Sequence, residues 1–242
     1  MNKKIRNLFF IAILFSGFNF TVLAQTEEKQ NQKIFGSFII MPFEFTAIDP
    51  SQINNILSSA NLPTINNLLG EYGMGLGLQL YLNRIVPTLS FNWGAEIRND
   101  NTLQISHNIF SLNFGYNLLH NVRYSLHPYI GYKNCSISYL YSEKFDGTIE
   151  DYLSTNLKIK EISNSRSHID FGIGTSLRLQ LFPEFITPLN LRAGFLLPIQ
   201  KSNWKANNEL FELKGGPKLN YQYYFIFTIG MGWIGARAEP TQ

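Results

Sequence analysis

The chain has 242 residues, room for one large domain or two small ones. Only 15% of residues are charged and 14% are aromatic, including 20 Phe and 12 Tyr, which excludes a highly charged disordered polymer. Lys and Arg total 20 against 17 Asp and Glu, but Lys3, Lys4 and Arg6 are three of those 20, so the remainder is balanced at 17 against 17. The electrostatic case for a nucleic-acid partner goes with them.

Residues 1–24 read as a signal peptide: three cations, the apolar core Leu8 to Phe15, then Val22, Leu23 and Ala24 before a cut at Gln25. An N-terminal anchor is the alternative; no Cys stands at the cut to suggest a lipid anchor. Residues 25–32 form a short tail. Cys135 is the only cysteine, so no intrachain disulfide and no Cys-based zinc site is expected.

From residue 33 onward the dominant signal is period-two alternation. Residues 33–45 form the first expected strand, apolar on both faces around Phe38 to Met41. Residues 46–70 are read as a loop over the rim, with a short helix pair around Pro63 as the alternative. Tyr72 to Asn83 alternates Met74, Leu76, Leu78 and Leu80 with Gly73, Gly75, Gly77 and Gln79. Val86 to Arg98 alternates Leu89, Phe91 and Trp93 with Ser90, Asn92 and Gly94. Residues 103–118 begin with Leu103 and Ile105 on one face and switch to Phe110, Leu112 and Phe114 on the other; 128–143 slip similarly near Asn134 and Cys135. A bulge would explain each switch, and so would a different boundary. His168 to Leu181, Leu189 to Ile199 and Asn220 to Trp233 complete eight strands. In the last, Tyr221 to Trp233 hold one face, while Tyr224 and Ile226 sit among the polar residues of the other.

Most of these strands run to eleven residues or more, against about five or six in ordinary soluble proteins and about nine to eleven in strands that cross a bilayer. The long connections, 46–70, 144–166 and 200–218, fall at one end; short ones at Arg84–Ile85 and Phe182–Ile186 fall at the other, the asymmetry of outer-membrane barrels. The short connection at Asn99 to Thr102 does not fit it.

Alternation does not say which face is outside; glycine does. Gly73, Gly75, Gly77, Gly94, Gly172, Gly174, Gly194, Gly230 and Gly232 all share the polar face. Glycine weakens a strand and has no use on a solvated exterior, but inside a narrow barrel it makes room for larger neighbours. The opposite face is bulky and uncharged, as lipid demands. Tyr221 and Trp233 lie twelve residues apart on it, about 28 Å along the membrane normal. They suit aromatic girdles edging a band of about 25 Å. Tyr223, Tyr72, Tyr139 and Tyr141 are further girdle candidates.

With these features residues 33–235 resemble the small eight-stranded outer-membrane barrels of the OmpX and OmpA-barrel type, most nearly the outer-membrane β-barrel domain proteins of Bacteroidota. The resemblance implies an antiparallel up-and-down transmembrane β-barrel in a Gram-negative outer membrane. It also implies contact with outer-membrane lipids including lipopolysaccharide, and insertion by the barrel-assembly machinery. Family members commonly end in an aromatic residue; here residues 236–242 follow the last strand as a tail, leaving Trp233 to end the assembly signal.

Glu96, Arg98, His168, Asp170, Arg178 and Arg192 all fall on the inner face and are read as a structural ion-pair network. A gated path or a polar ligand pocket is the alternative. His107, with Ser106 and Ser111 near it, is the one hint of a lipid-modifying hydrolase or acyltransferase, but no carboxylate orients it and it is read as an interfacial residue. His120 and His127 are read as turn residues, without a third metal ligand. No phosphate loop, nucleophile elbow or zincin motif occurs, so no cofactor is expected. The expected role is non-enzymatic: envelope structure, or binding of an extracellular ligand through 46–70, 144–166 and 200–218. A lipid-modifying enzyme and a soluble periplasmic lipid carrier are the alternatives.

Overall fold

A computed structural model describes residues 32–48, 51–59, 61–62, 64, 71–98, 103–119, 121–143, 159–181, 185–199, 203–206, 211–213 and 221–238. The expected signal peptide, most of both terminal tails, and residues 144–158 of the fifth connection lie outside this set.

The elements in chain order are β1 (Gln32–Ile48), α1 (Ser51–Ser59), β2 (Glu71–Leu82), β3 (Ile85–Arg98), β4 (Leu103–Tyr116), β5 (Tyr124–Ser142), β6 (Ile159–Leu179), β7 (Thr187–Pro198), β8 (Asn203–Ala206), β9 (Phe211–Leu213) and β10 (Tyr221–Ala238). Strand order runs β5-β4-β3-β2-β1-β10-β7-β6, and β6 pairs back onto β5. The result is a closed eight-stranded barrel in which the registered pairs are antiparallel. Closure leaves no edge. The β2–β3 turn is two residues long, and Asn83 takes φ 61° there, which Asn tolerates.

The alternation settles which face is inside. Leu78 and Phe171 are exposed on the outer wall, and Phe227 shares that face, stacked on Phe43 at 6.4 Å. The glycines lie within, where several make space for a neighbouring ring. A Cβ on Gly194 would strike the Tyr224 ring, one on Gly174 the His127 ring, and one on Gly73 would come to 3.0 Å from His107 Nε2.

Three expectations need correction. No bulge interrupts β4 or β5: pairing is unbroken from Leu103↔Tyr141 to Gly115↔Tyr129, and from Tyr124↔Leu177 to Ser142↔Ile159. The connections at 144–166 and 200–218 are shorter than expected, because β6 begins at Ile159 and β8 and β9 form a hairpin that pairs with β6 through Ser165↔Asn203 and Ile162↔Ala206. The described residues of the first connection include a helix, α1, whose Leu57 is buried in an apolar cluster with Leu103, Ile105, Ile137 and Trp204; residues 65–70, where a second helix of a pair would fall, lie outside the described residues.

The apparent switches in β4 and β5 have a different cause. The strands keep their register, but the polarity of their faces inverts along their length. One rung, Leu112, Tyr132 and Ile169, is exposed and apolar, while the adjacent inner rungs hold Ser111, Lys133, His168, Asn113 and Asp170. Further toward the long connections, the outer rungs are Asn108, Ser136 and Ser165, then Ser106, Ser138 and Ser163. The inner rungs beside them include Ile109 with Cys135, then Ile105 with Tyr139, all buried. An apolar exterior with a polar interior suits hydrocarbon; the reverse suits water. The change between these rungs marks the edge of the apolar band. Beyond it β5 runs ten more residues to Ser142, about 20 Å at ordinary rise and tilt. This collar explains why β5 and β6, at 19 and 21 residues, far exceed the length a membrane crossing requires.

Candidate functional site: the lumen network and the collar

The lumen is filled in three layers. Near the short turns Ile34, Phe38, Ile40, Tyr81 and Val86 form an apolar plug. At the collar end lies the cluster that includes Leu57 and Trp204, with Trp204 stacked on Tyr139 at 6.0 Å. Between them sits a polar layer.

Its centre is an ion pair. Lys133 Nζ lies 2.5 Å from Glu44 Oε1, and both side chains are wholly buried. Glu44 also accepts from Thr46 Oγ1 at 2.8 Å and from Asn92 Nδ2 at 2.5 Å. The Lys133 ammonium rests 3.5 Å from the centroid of the Tyr224 ring, a cation–π contact strengthened by burial. The Tyr224 hydroxyl donates to Asp170 Oδ1 at 2.5 Å and meets the Tyr129 hydroxyl at 2.7 Å. Arg192 lies 5.6 Å from the Tyr129 ring. Two acidic and two basic side chains thus make up this central group, matched in number, and pairing is the condition under which buried charges are tolerable.

A second cluster lies nearer the short turns. Tyr81 and Ser125 both hydrogen-bond Ser176, each at 2.8 Å, and Ser125 meets His127 Nδ1 at 3.4 Å. Arg178 donates to the carbonyls of Asn121 and Val122 at 2.9 and 2.6 Å and covers the Tyr81 ring at 4.0 Å. Gln79 accepts from Asn190 at 3.0 Å, and Ser90 meets Ser111 at 2.7 Å. Every strand of the barrel contributes to these contacts, so the network ties the wall together across the lumen as well as around it.

Of the expected inner residues, His168, Asp170, Arg178 and Arg192 are buried inside. Asp170 and Arg192 belong to the central group, and Arg178 to the second. The side chains of Glu96 and Arg98 lie outside the described residues. Glu44 and Lys133, the centre of the network, were not among the expected residues. Each offered a signal: Glu44 stands between Phe43 and Phe45, and Lys133 between Tyr132 and Asn134, so each is a charge in phase with the inner face.

Three assignments change. His107 is not interfacial: it is buried inside, on a row with Ser111 and opposite in direction to Ser106. His127 is not a turn residue but lies in β5 within the lumen; His120 lies outside the described residues. Tyr139 is not a girdle residue, because it packs inward on Trp204 in the collar, and Tyr141 is half-buried on the same row. Tyr223 and Trp233 are exposed on the outer face; the side chains of Tyr72 and Tyr221 lie outside the described residues. Tyr132 takes the place expected of Tyr139. Its ring lies on the exposed apolar face, and its hydroxyl meets Ser167 Oγ at 2.7 Å, where the polar collar begins.

The geometry defines a small closed antiparallel barrel with a greasy wall, an ionic interior and a polar collar. No protein-family model matches the chain. No curated protein matches it in sequence. Among solved structures it is similar to a major outer membrane protein from Thermus thermophilus, with 11% identity over 84% of this chain and 99% of that one, at a TM-score of 0.49. It is also similar to Ail, the attachment invasion locus protein of Yersinia pestis, with 11% identity over 84% and 99% of the chains at a TM-score of 0.42. OprG from Pseudomonas aeruginosa shows 8% identity over 85% and 97% at 0.39.

Proposed function

We propose that the chain is a non-enzymatic barrel spanning the outer membrane of a Gram-negative envelope, whose work is done by the collar and its connections. The inversion of face polarity along β4, β5 and β6 carries this reading. A soluble carrier would keep its apolar face inward throughout. Here Leu76, Phe91, Ile130 and Ile173 are exposed beside strands whose collar segments obey the opposite rule. Outer-membrane lipids, lipopolysaccharide among them, are the partners of the apolar band, and the barrel-assembly machinery inserts it. The collar with its β8–β9 hairpin, and the connections 49–70 and 143–158, are the surface offered to an extracellular ligand. Large connections on a rigid scaffold are where recognition usually sits.

The lumen supports a structural rather than a catalytic role. His107 has Ser106 directed to the opposite face, while Ser111, four residues along the same row, is engaged by Ser90. Neither serine is therefore placed as a nucleophile for His107. The test is migration of detergent-extracted membranes before and after boiling. A folded barrel recovered in the outer-membrane fraction shifts on heating. A chain released without detergent and unaffected by heat would refute the proposal.

A further inference from the structure

The outer face of the collar has a composition that contact with water alone does not explain. On β4, β5 and β6 the register sets Asn108, Ser136 and Ser165 side by side on one outer rung, and Ser106, Ser138 and Ser163 on the next. All six are exposed or half-buried. Neither rung carries a charge on these three strands, whereas a solvated surface is about 25–35% charged. Asn is depleted in strands, and serine adds little side chain to pack. The face is therefore neutral, lined by small side chains and rich in hydroxyl and amide groups. Ser165 Oγ donates to Asn134 Oδ1 at 3.3 Å, and Ser138 Oγ donates to Glu161 Oε1 at 3.3 Å. The side chains of Ser106, Asn108, Ser136 and Ser163 make no hydrogen bond among the described residues, so their donors and acceptors face outward unspent.

Height decides what covers these rungs. The apolar band ends at the rung of Tyr132, and the two polar rungs lie four and six residues further along β5. At ordinary rise and tilt they stand about 9 and about 14 Å above the band. A phospholipid headgroup layer is about 5–8 Å deep and ends below them. A lipid whose chains lie on the exposed Leu112, Ile130 and Ile169 reaches them only with a larger headgroup. Sugar hydroxyls both donate and accept, as serine hydroxyls and amides do, and a neutral face suits them where a phosphate would call for Lys or Arg. We propose that this face binds the saccharide headgroup of a glycolipid in the leaflet on the collar side. The sugars lie against the two rungs, and the acyl chains continue down the apolar wall of the same strands. The inference rests on the membrane-spanning reading and adds to it a partner surface and the chemistry recognised there.

The test is native mass spectrometry of the folded full-length protein in neutral detergent, titrated with rough lipopolysaccharide, with lipid A, which lacks the core sugars, or with phosphatidylglycerol. Wild type should retain rough lipopolysaccharide about tenfold over lipid A. Replacing one rung, Ser106→Ala with Ser138→Ala and Ser163→Ala, should weaken retention of lipopolysaccharide about 5- to 10-fold and leave lipid A and phosphatidylglycerol as in wild type. The heat-dependent shift reports folding separately. A wild type without that shift would sink the membrane reading and this inference together; a wild type that shifts but retains the three lipids alike would sink this inference alone. If the triple variant does not fold, Ser136→Ala with Ser165→Ala on the neighbouring rung decides. Undiminished retention by the variants, an equal loss for lipid A, or a wild-type dimer that the variants turn into monomers, which would give the face to a second copy, would overturn the proposal.

Discussion

The Glu44–Lys133 pair gives the sharpest energetic prediction. Both side chains are wholly buried, and the 2.5 Å contact is reinforced by Asn92, Thr46 and the face of Tyr224. Removing one charge strands the other in the lumen, which costs about 3–5 kcal/mol. Glu44→Gln and Lys133→Met should each show a loss of this size. Removing both leaves a glutamine whose carbonyl oxygen can still accept from Asn92 and a methionine that keeps the contact with Tyr224. An uncharged replacement of a buried pair is often neutral, so the double variant should lose only about 1–3 kcal/mol relative to wild type. The coupling energy is then at least about 3 kcal/mol. The assay is reversible urea unfolding of the barrel from lipid vesicles, followed by tryptophan fluorescence. Losses that simply add in the double variant, or single losses below about 1 kcal/mol, would refute the view that this pair organises the lumen.

Other expectations follow from the same geometry. Ile130→Lys places a cation on the lipid-facing wall and should cost about 2–4 kcal/mol in vesicles, whereas Ser136→Lys on the collar of the same strand should stay within about 0.5 kcal/mol; urea midpoints compare them. Leu57→Ala removes the buried anchor of α1 and should weaken its docking by about 2–3 kcal/mol. Limited proteolysis within 46–70 should accelerate about 30- to 150-fold while the barrel still shifts on heating. His107→Ala should leave the lipid A profile of producing cells unchanged by mass spectrometry, and an altered profile would revive the lipid-modifying enzyme.

Much of the architecture was legible because alternation and glycine placement are direct consequences of sheet geometry. Gly194 and Gly174 on the inner face announced large neighbours, and the structure supplies the rings of Tyr224 and His127. The collar was not legible. A reading that assigns one polarity to each face must interpret an inversion as a slip, so the rows from Leu103 and from Cys135 suggested bulges that are absent. The same assumption displaced Tyr139 to the exterior and hid Lys133, which stands where the slip was expected. Glu44 was obscured differently: Ile34, Phe38 and Ile40 fill the lower plug, so β1 is apolar on both faces until its last residues toward the collar. The β8–β9 hairpin, four and three residues long, owes its place to pairing with β6 rather than to any pattern of its own.

The direct measurement of lipid exposure is spin-label accessibility in proteoliposomes, with single labels at Leu78, Phe171, Ile173 and Ser136 compared for collision with oxygen and with a water-soluble nickel chelate. Labels at Leu78, Phe171 and Ile173 should favour oxygen, as hydrocarbon does, and the label at Ser136 should favour nickel. Nickel-accessible labels at all four positions would mean that water surrounds the wall, and the membrane-spanning barrel would have to be abandoned.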